Sequence, residues 1–77
     1  MLDQLRAMGV FACVVEKNSF SGAARNLGIT TSAVSQQIRS LEHEMEVTLL
    51  HRSTRKLSLT EAGQAFFHSC QEMLAAA

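Results

Sequence analysis

No proline, tryptophan or tyrosine occurs in the 77 residues, and glycine occurs only four times. Many short strands need turn-forming residues at nearly every connection, so this scarcity excludes such an architecture and points to a mostly helical fold. Without Trp and Tyr, the bulky anchors are Phe11, Phe20, Phe66 and Phe67. No apolar stretch approaches the roughly 18 residues that a membrane span needs. The start, Met1, Leu2, Asp3 and Gln4, has no basic stretch leading into a hydrophobic segment. The expectation is a soluble, non-exported, cytoplasmic chain. Cys13 and Cys70 are the two cysteines and neither belongs to a C-x-x-C pair. They read as small buried apolar residues in a reducing compartment.

What remains is enough for one core. A chain of this length cannot carry a large enzyme scaffold, but with 47% hydrophobic and 18% charged residues it is no disordered tail. Seven basic and seven acidic residues cancel, which argues against a nonspecific nucleic-acid coat. Their distribution is uneven. Windows 17–41 and 47–60 contain no Asp or Glu and hold six of the seven basic residues: Lys17, Arg25, Arg39, Arg52, Arg55 and Lys56.

Leu2, Leu5, Met8, Phe11, Ala12 and Val15 recur at helical spacing and predict a first helix over 2–16, stopped by Lys17 and Asn18. Ser21 is the expected N-cap of a short second helix through Leu27, closed by Gly28. Thr30 is placed to cap a third helix over 30–45, in which Val34, Ile38, Leu41 and Met45 share one face. At 100° per residue, Ser32, Gln36, Arg39 and His43 lie opposite, flanked by Thr31 and Ser35. Residues 47–60 alternate around Leu49 and around Leu57, Ser58 and Leu59, which predicts a small hairpin with a basic tip. Thr60 and Glu61 then open a fourth helix that runs to Ala77.

Ala24, Gly28, Val34 and Ile38 fit a particular unit. A small residue lets two helices approach, a glycine makes the tight turn, and two branched residues lock the second helix on the first. That is helix-turn-helix geometry, which carries its second helix into the major groove of DNA. The basic hairpin matches a wing, with Arg55 or Lys56 able to reach a flanking phosphate or minor groove. Arg52 stands near the strand start and can instead pair with Glu42 of its own domain.

The chain also resembles the N-terminal DNA-binding domain of LysR-type transcriptional regulators over nearly its whole length. The resemblance rests on residues 11–16 followed by Asn18, Ser19 and Phe20; on Ala23, Ala24 and Leu27; on residues 32–38 with Leu41 and Glu42; and on Leu49, Leu50, Arg52, Arg55 and residues 59–63. It implies a mostly α winged helix-turn-helix, with a three-helix core, a small β-hairpin wing and a long C-terminal helix that pairs two chains. It also implies a small-molecule effector domain beyond this chain, higher oligomers of the full regulator, and a place on the bacterial nucleoid. Residues 1–60 would form the DNA-binding domain and 61–77 the start of the linker helix. The DNA-contacting positions implied are Ser21, Thr31, Ser32, Ser35, Gln36 and Arg39, with Ser53, Thr54 and Arg55 in the wing, to which the basic hairpin adds Lys56. Three residues depart from the family's pattern. Asn18 and Glu46 stand where glycine is frequent, so helix three should extend or end differently at Glu46, and Leu50 stands where phenylalanine is frequent. Gln36 stands where many relatives carry Arg, which shifts direct readout toward adenine.

On the fourth helix Phe66, Cys70, Met73 and Ala77 recur on one side, and Phe67 and Leu74 on another. One face can seal the core. The other, uncovered in so small a fold, is the expected dimerisation surface, so Phe66, Phe67, Cys70, Met73 and Leu74 are its candidates. A two-fold dimer would require an interrupted palindrome in DNA. Catalysis fails for want of parts: His43, His51 and His68 fit no metal-ligand spacing, no glycine-rich phosphate loop occurs, and no cofactor or metal is expected. The remaining alternative is a winged-helix module that binds protein and not DNA.

Overall fold

The computed structural model describes residues 2–51 and 57–76. Its elements are α1 (Leu2–Lys17), α2 (Phe20–Leu27), α3 (Thr31–Met45), β1 (Leu50–His51), β2 (Ser58–Leu59) and α4 (Glu61–Ala76). Each helix boundary has a local cause. After α1, Asn18 takes a left-handed φ of 53°, and the amides of Asn18 and Ser19 close on the carbonyls of Val15 and Val14. The cap of α2 is Ser19 and not Ser21: the Ser19 hydroxyl accepts from the Gly22 amide at 2.9 Å. Ser19 has the extended backbone a cap requires, whereas Ser21 already lies inside the helix. Gly28 ends α2 at φ 71°. The Thr30 hydroxyl caps α3 by accepting from the Ala33 amide at 3.0 Å.

Helix α3 does not extend through Glu46. Glu46 itself turns left-handed, at φ 56°, and the Val47 amide returns to the Glu42 carbonyl at 3.1 Å. A non-glycine residue in that region costs roughly 1–2 kcal/mol, which the hydrogen bonds of the helix end offset.

The largest fully buried side chains are Phe11, Ile38, Leu41, Leu49 and Leu50, joined by Val14, Val34 and Cys70. Buried Ala23 and Ala24 allow α2 to lie close against α1 and α3. Phe11 of α1 meets two rings of α4, Phe66 at 5.5 Å and Phe67 at 6.5 Å between centroids. Phe66, Phe67 and Cys70 of α4 join the core that α1 and α3 build. Gly63, also buried, permits this approach, because a Cβ there would overlap the carbonyl oxygen of Leu49.

Among the described residues the hairpin pairs Leu50↔Leu59 and His51↔Ser58, antiparallel. Leu49 and Leu50 are both buried, which a regular strand with one solvated face cannot achieve. Leu49 is instead tied to helices on both sides: its amide donates to the Glu42 carboxylate and its carbonyl accepts from the Thr60 amide. The Thr60 hydroxyl donates to the Thr48 carbonyl and accepts from the Gly63 amide at 2.8 Å, so it also caps α4.

Both cysteines are buried free thiols. Burial pushes the Cys70 thiol up to about 11 from the ordinary 9.0. The folded state thus favours the neutral thiol, and its contribution is complete below pH 9 and lost as pH rises from 9 toward 11. The stability difference between wild type and Cys70→Ala should shrink over that window, as measured by urea unfolding at successive pH values. A constant difference would show that the thiol is ionisable in the fold.

Candidate nucleic-acid interface

The outer face of α3 is set by the inner one. With Val34, Ile38 and Leu41 turned into the core, the 100° step places Ser32, Gln36, Arg39 and His43 opposite, and all four are exposed. Thr31 is exposed and Ser35 half-buried on the flanks. This surface offers hydroxyl, carboxamide and guanidinium groups, able to donate and accept hydrogen bonds without an aliphatic side chain between them. Neither hydrogen bond nor ion pair engages Gln36 or Arg39 among the described residues, so these groups are available to a partner. Ser21 is exposed in the first turn of α2.

The wing positions Arg52, Ser53, Thr54, Arg55 and Lys56 lie outside the described residues, between His51 of β1 and Leu57. Glu42 fixes where that hairpin leaves the core. Its carboxylate Oε2 accepts from the amides of Leu49 at 2.7 Å and Leu50 at 3.2 Å, joining the last turns of α3 to β1. This role was not legible beforehand, although a carboxylate near a helix C-terminus opposes the helix dipole and so signals a compensating partner. Glu42→Ala leaves two part-buried amides without this acceptor. We expect a loss of about 2 kcal/mol in unfolding free energy, with faster hydrogen exchange at the Leu49 and Leu50 amides. Unchanged exchange at both would show that other acceptors replace the carboxylate.

The candidate dimerisation set divides. Cys70 is fully buried within its own chain and Phe66 and Phe67 pack half-buried on Phe11, so Cys70 is corrected to a core residue. Phe11 supplies the cover that the α4 sequence alone does not reveal. Met73 and Leu74 stay 50% and 41% exposed, while Ala77 lies outside the described residues. Among the described residues no group of three or more His, Cys, Asp or Glu could hold a metal, and no helix is long and apolar enough to cross a membrane. His68 is exposed beside Glu72, 3.8 Å away one turn on.

Helix α2, the turn of Gly28, Ile29 and Thr30, and α3, followed by a two-stranded antiparallel hairpin, define a winged helix-turn-helix. Comparison with known proteins specifies the family. The family model for bacterial regulatory helix-turn-helix proteins of the lysR family matches residues 5–64. The HTH-type transcriptional activator AaeR of Escherichia coli is 48% identical over 73 residues, which make up 95% of this chain and 24% of AaeR. The HTH-type transcriptional regulator CrgA of Neisseria meningitidis is 49% identical over 65 residues, 84% of this chain and 22% of CrgA. Among solved structures, the DNA-binding domain of BenM in complex with catB site 1 DNA matches with a TM-score of 0.90 at 36% identity, covering 94% of this chain and 80% of that one. The CbnR DNA-binding domain in its DNA complex gives 0.87 at 32% identity, covering 94% of this chain and 83% of that one. The chain belongs to the lysR family of bacterial regulatory helix-turn-helix proteins. It spans about a quarter of the length of these curated relatives.

Proposed function

We infer that the chain is the sequence-reading, double-stranded-DNA-binding domain of a longer bacterial transcriptional regulator, with α3 in the major groove. The observation that carries this reading is the uninterrupted polar face of α3, held outward by the helix-turn-helix beneath it. A B-DNA major groove admits one helix of that size and presents a distinct donor and acceptor pattern for every base pair. Ser32, Ser35 and Gln36 read base edges, while Thr31, Arg39 and Ser21 hold phosphates. Ser53, Thr54, Arg55 and Lys56 reach the flanking backbone from the wing. The chain binds and does not catalyse, and it acts in the cytoplasm on nucleoid DNA.

Residues 1–60 are the reading unit, and 61–77 begin a helix that continues toward an effector-binding domain. Two copies associate through the exposed part of that helix, at Met73 and Leu74 and the outer edges of Phe66 and Phe67. Such a dimer sets two recognition helices about 34 Å apart, or a multiple of that repeat, and demands an interrupted palindrome. Selection from a random duplex library tests the reading. The wild-type chain should enrich an interrupted palindrome, and Gln36→Ala should relax one base position in each half-site at a cost of roughly 1–3 kcal/mol. Identical preferences with and without the Gln36 carboxamide would remove it from base reading.

A further inference from the structure

The root of the β1–β2 hairpin is gripped from two helices. On the α3 side Glu42 holds amides: its carbonyl accepts from Val47 at 3.1 Å, and its carboxylate Oε2 accepts from Leu49 at 2.7 Å and Leu50 at 3.2 Å. On the α4 side Thr60 holds carbonyls, its hydroxyl donating to Thr48 at 2.6 Å and its amide to Leu49 at 3.0 Å. The hairpin itself supplies little rigidity. Its described strands pair at Leu50↔Leu59 and His51↔Ser58, and a two-stranded ribbon is marginal at best in water. Its direction out of the domain is therefore set at Leu49 and Leu50. Glu42 also belongs to the recognition helix, three residues past Arg39, which is about 4.5 Å along the axis. One side chain thus ties the reading surface of α3 to the hairpin.

We propose that Glu42 is a positioning residue for DNA binding, whose carboxylate holds the hairpin at a fixed angle to α3 so that one duplex meets both. The proposal rests on the DNA-binding reading above and adds to it a residue that touches no DNA. Ser53, Thr54, Arg55 and Lys56 follow Leu50 by three to six positions, so a change of direction at Leu50 is passed to all of them. Once α3 lies in the groove, the flanking phosphates have fixed places. A hairpin already aimed at them binds without further ordering, whereas a loosely held one must be ordered at the expense of affinity. A carboxylate suits this task, because charge-assisted hydrogen bonds are roughly twice as strong as neutral ones. The seat of α3 does not depend on it: Val34, Ile38 and Leu41 fix that helix on the core, so the aim of Gln36 is set independently.

The test is duplex binding by the wild type, Glu42→Ala and Glu42→Gln on one operator fragment obtained by selection, at several salt concentrations and well below each thermal midpoint. The same two substitutions are also made in a chain carrying Arg55→Ala and Lys56→Ala. Glu42→Ala should weaken binding about tenfold at low salt and lower the slope of log affinity against log salt by about one to two. Glu42→Gln keeps a neutral acceptor of the same size and should lose about threefold in the same sense. Without the Arg55 and Lys56 charges, either substitution should cost less than about twofold, because the contacts it disturbs are already gone. Preferences at the bases that α3 reads should match the wild type throughout. Wild-type affinity and slope in Glu42→Gln overturn the proposal, even if Glu42→Ala fails to fold. An equal loss in both backgrounds also overturns it, and so does an altered base preference, since Glu42 would then act through α3 or through stability alone. Absence of duplex binding by the wild type overturns the DNA-binding reading and this proposal together.

Discussion

Gly63→Ala is expected to lower the unfolding free energy by at least about 3 kcal/mol, a large share of the roughly 4–12 kcal/mol available to a chain of this size. The cause is backbone against backbone. The added Cβ would overlap the Leu49 carbonyl oxygen and stand 3.0 Å from its carbon, with Leu59 Cδ2 at 3.2 Å. That carbonyl cannot rotate away cheaply, because it accepts from the Thr60 amide at 3.0 Å. To relieve the overlap α4 must lift from the backbone at Leu49, which loosens Phe66, Phe67 and Cys70 from the core. Gly9 provides the control. It lies inside α1 with open space where a Cβ would go, so Gly9→Ala should stabilise by about 0.5–1 kcal/mol through helix propensity alone. Thermal unfolding of both variants distinguishes the two glycines. A Gly63→Ala midpoint equal to wild type would show that α4 does not need this contact.

Arg39→Glu is expected to reduce affinity for an operator duplex about a hundredfold at low salt while leaving the thermal midpoint unchanged. Arg39 is exposed on the outer face of α3 and has no ion pair or hydrogen bond among the described residues, so its replacement disturbs no packing. Removing a charge-assisted hydrogen bond costs about 1.5–3 kcal/mol, and the new carboxylate adds repulsion from the phosphates, which together approach the roughly 2.8 kcal/mol that a hundredfold change represents. The deficit should narrow as salt rises, because counterions screen both contributions. Undiminished binding by Arg39→Glu would place the duplex on another face.

The outward-facing residues of α3 were legible because a helix that buries Val34, Ile38 and Leu41 has no freedom about where Ser32, Gln36 and Arg39 point. Asn18, Gly28 and Thr30 were legible as helix punctuation for similar local reasons. What was not legible depends on choices between equals or on distant neighbours. Ser19 and Ser21 are both good caps around Phe20, and only the backbone decides for Ser19. Phe66 and Phe67 repeat like an association face, but each turns part of its ring onto Phe11, more than fifty residues earlier. The Glu42 carboxylate and the glycine at 63 act on the backbone at Leu49 and Leu50, a tertiary contact that no periodicity encodes.

The outward face of α3 is expected to bind duplex DNA through phosphate and base contacts. A binding titration of the 77-residue chain on genomic duplex fragments at two salt concentrations tests it most directly. A subset of fragments should bind far more tightly than the rest, with affinity falling steeply as salt rises. Failure to bind any duplex at either salt concentration would contradict it.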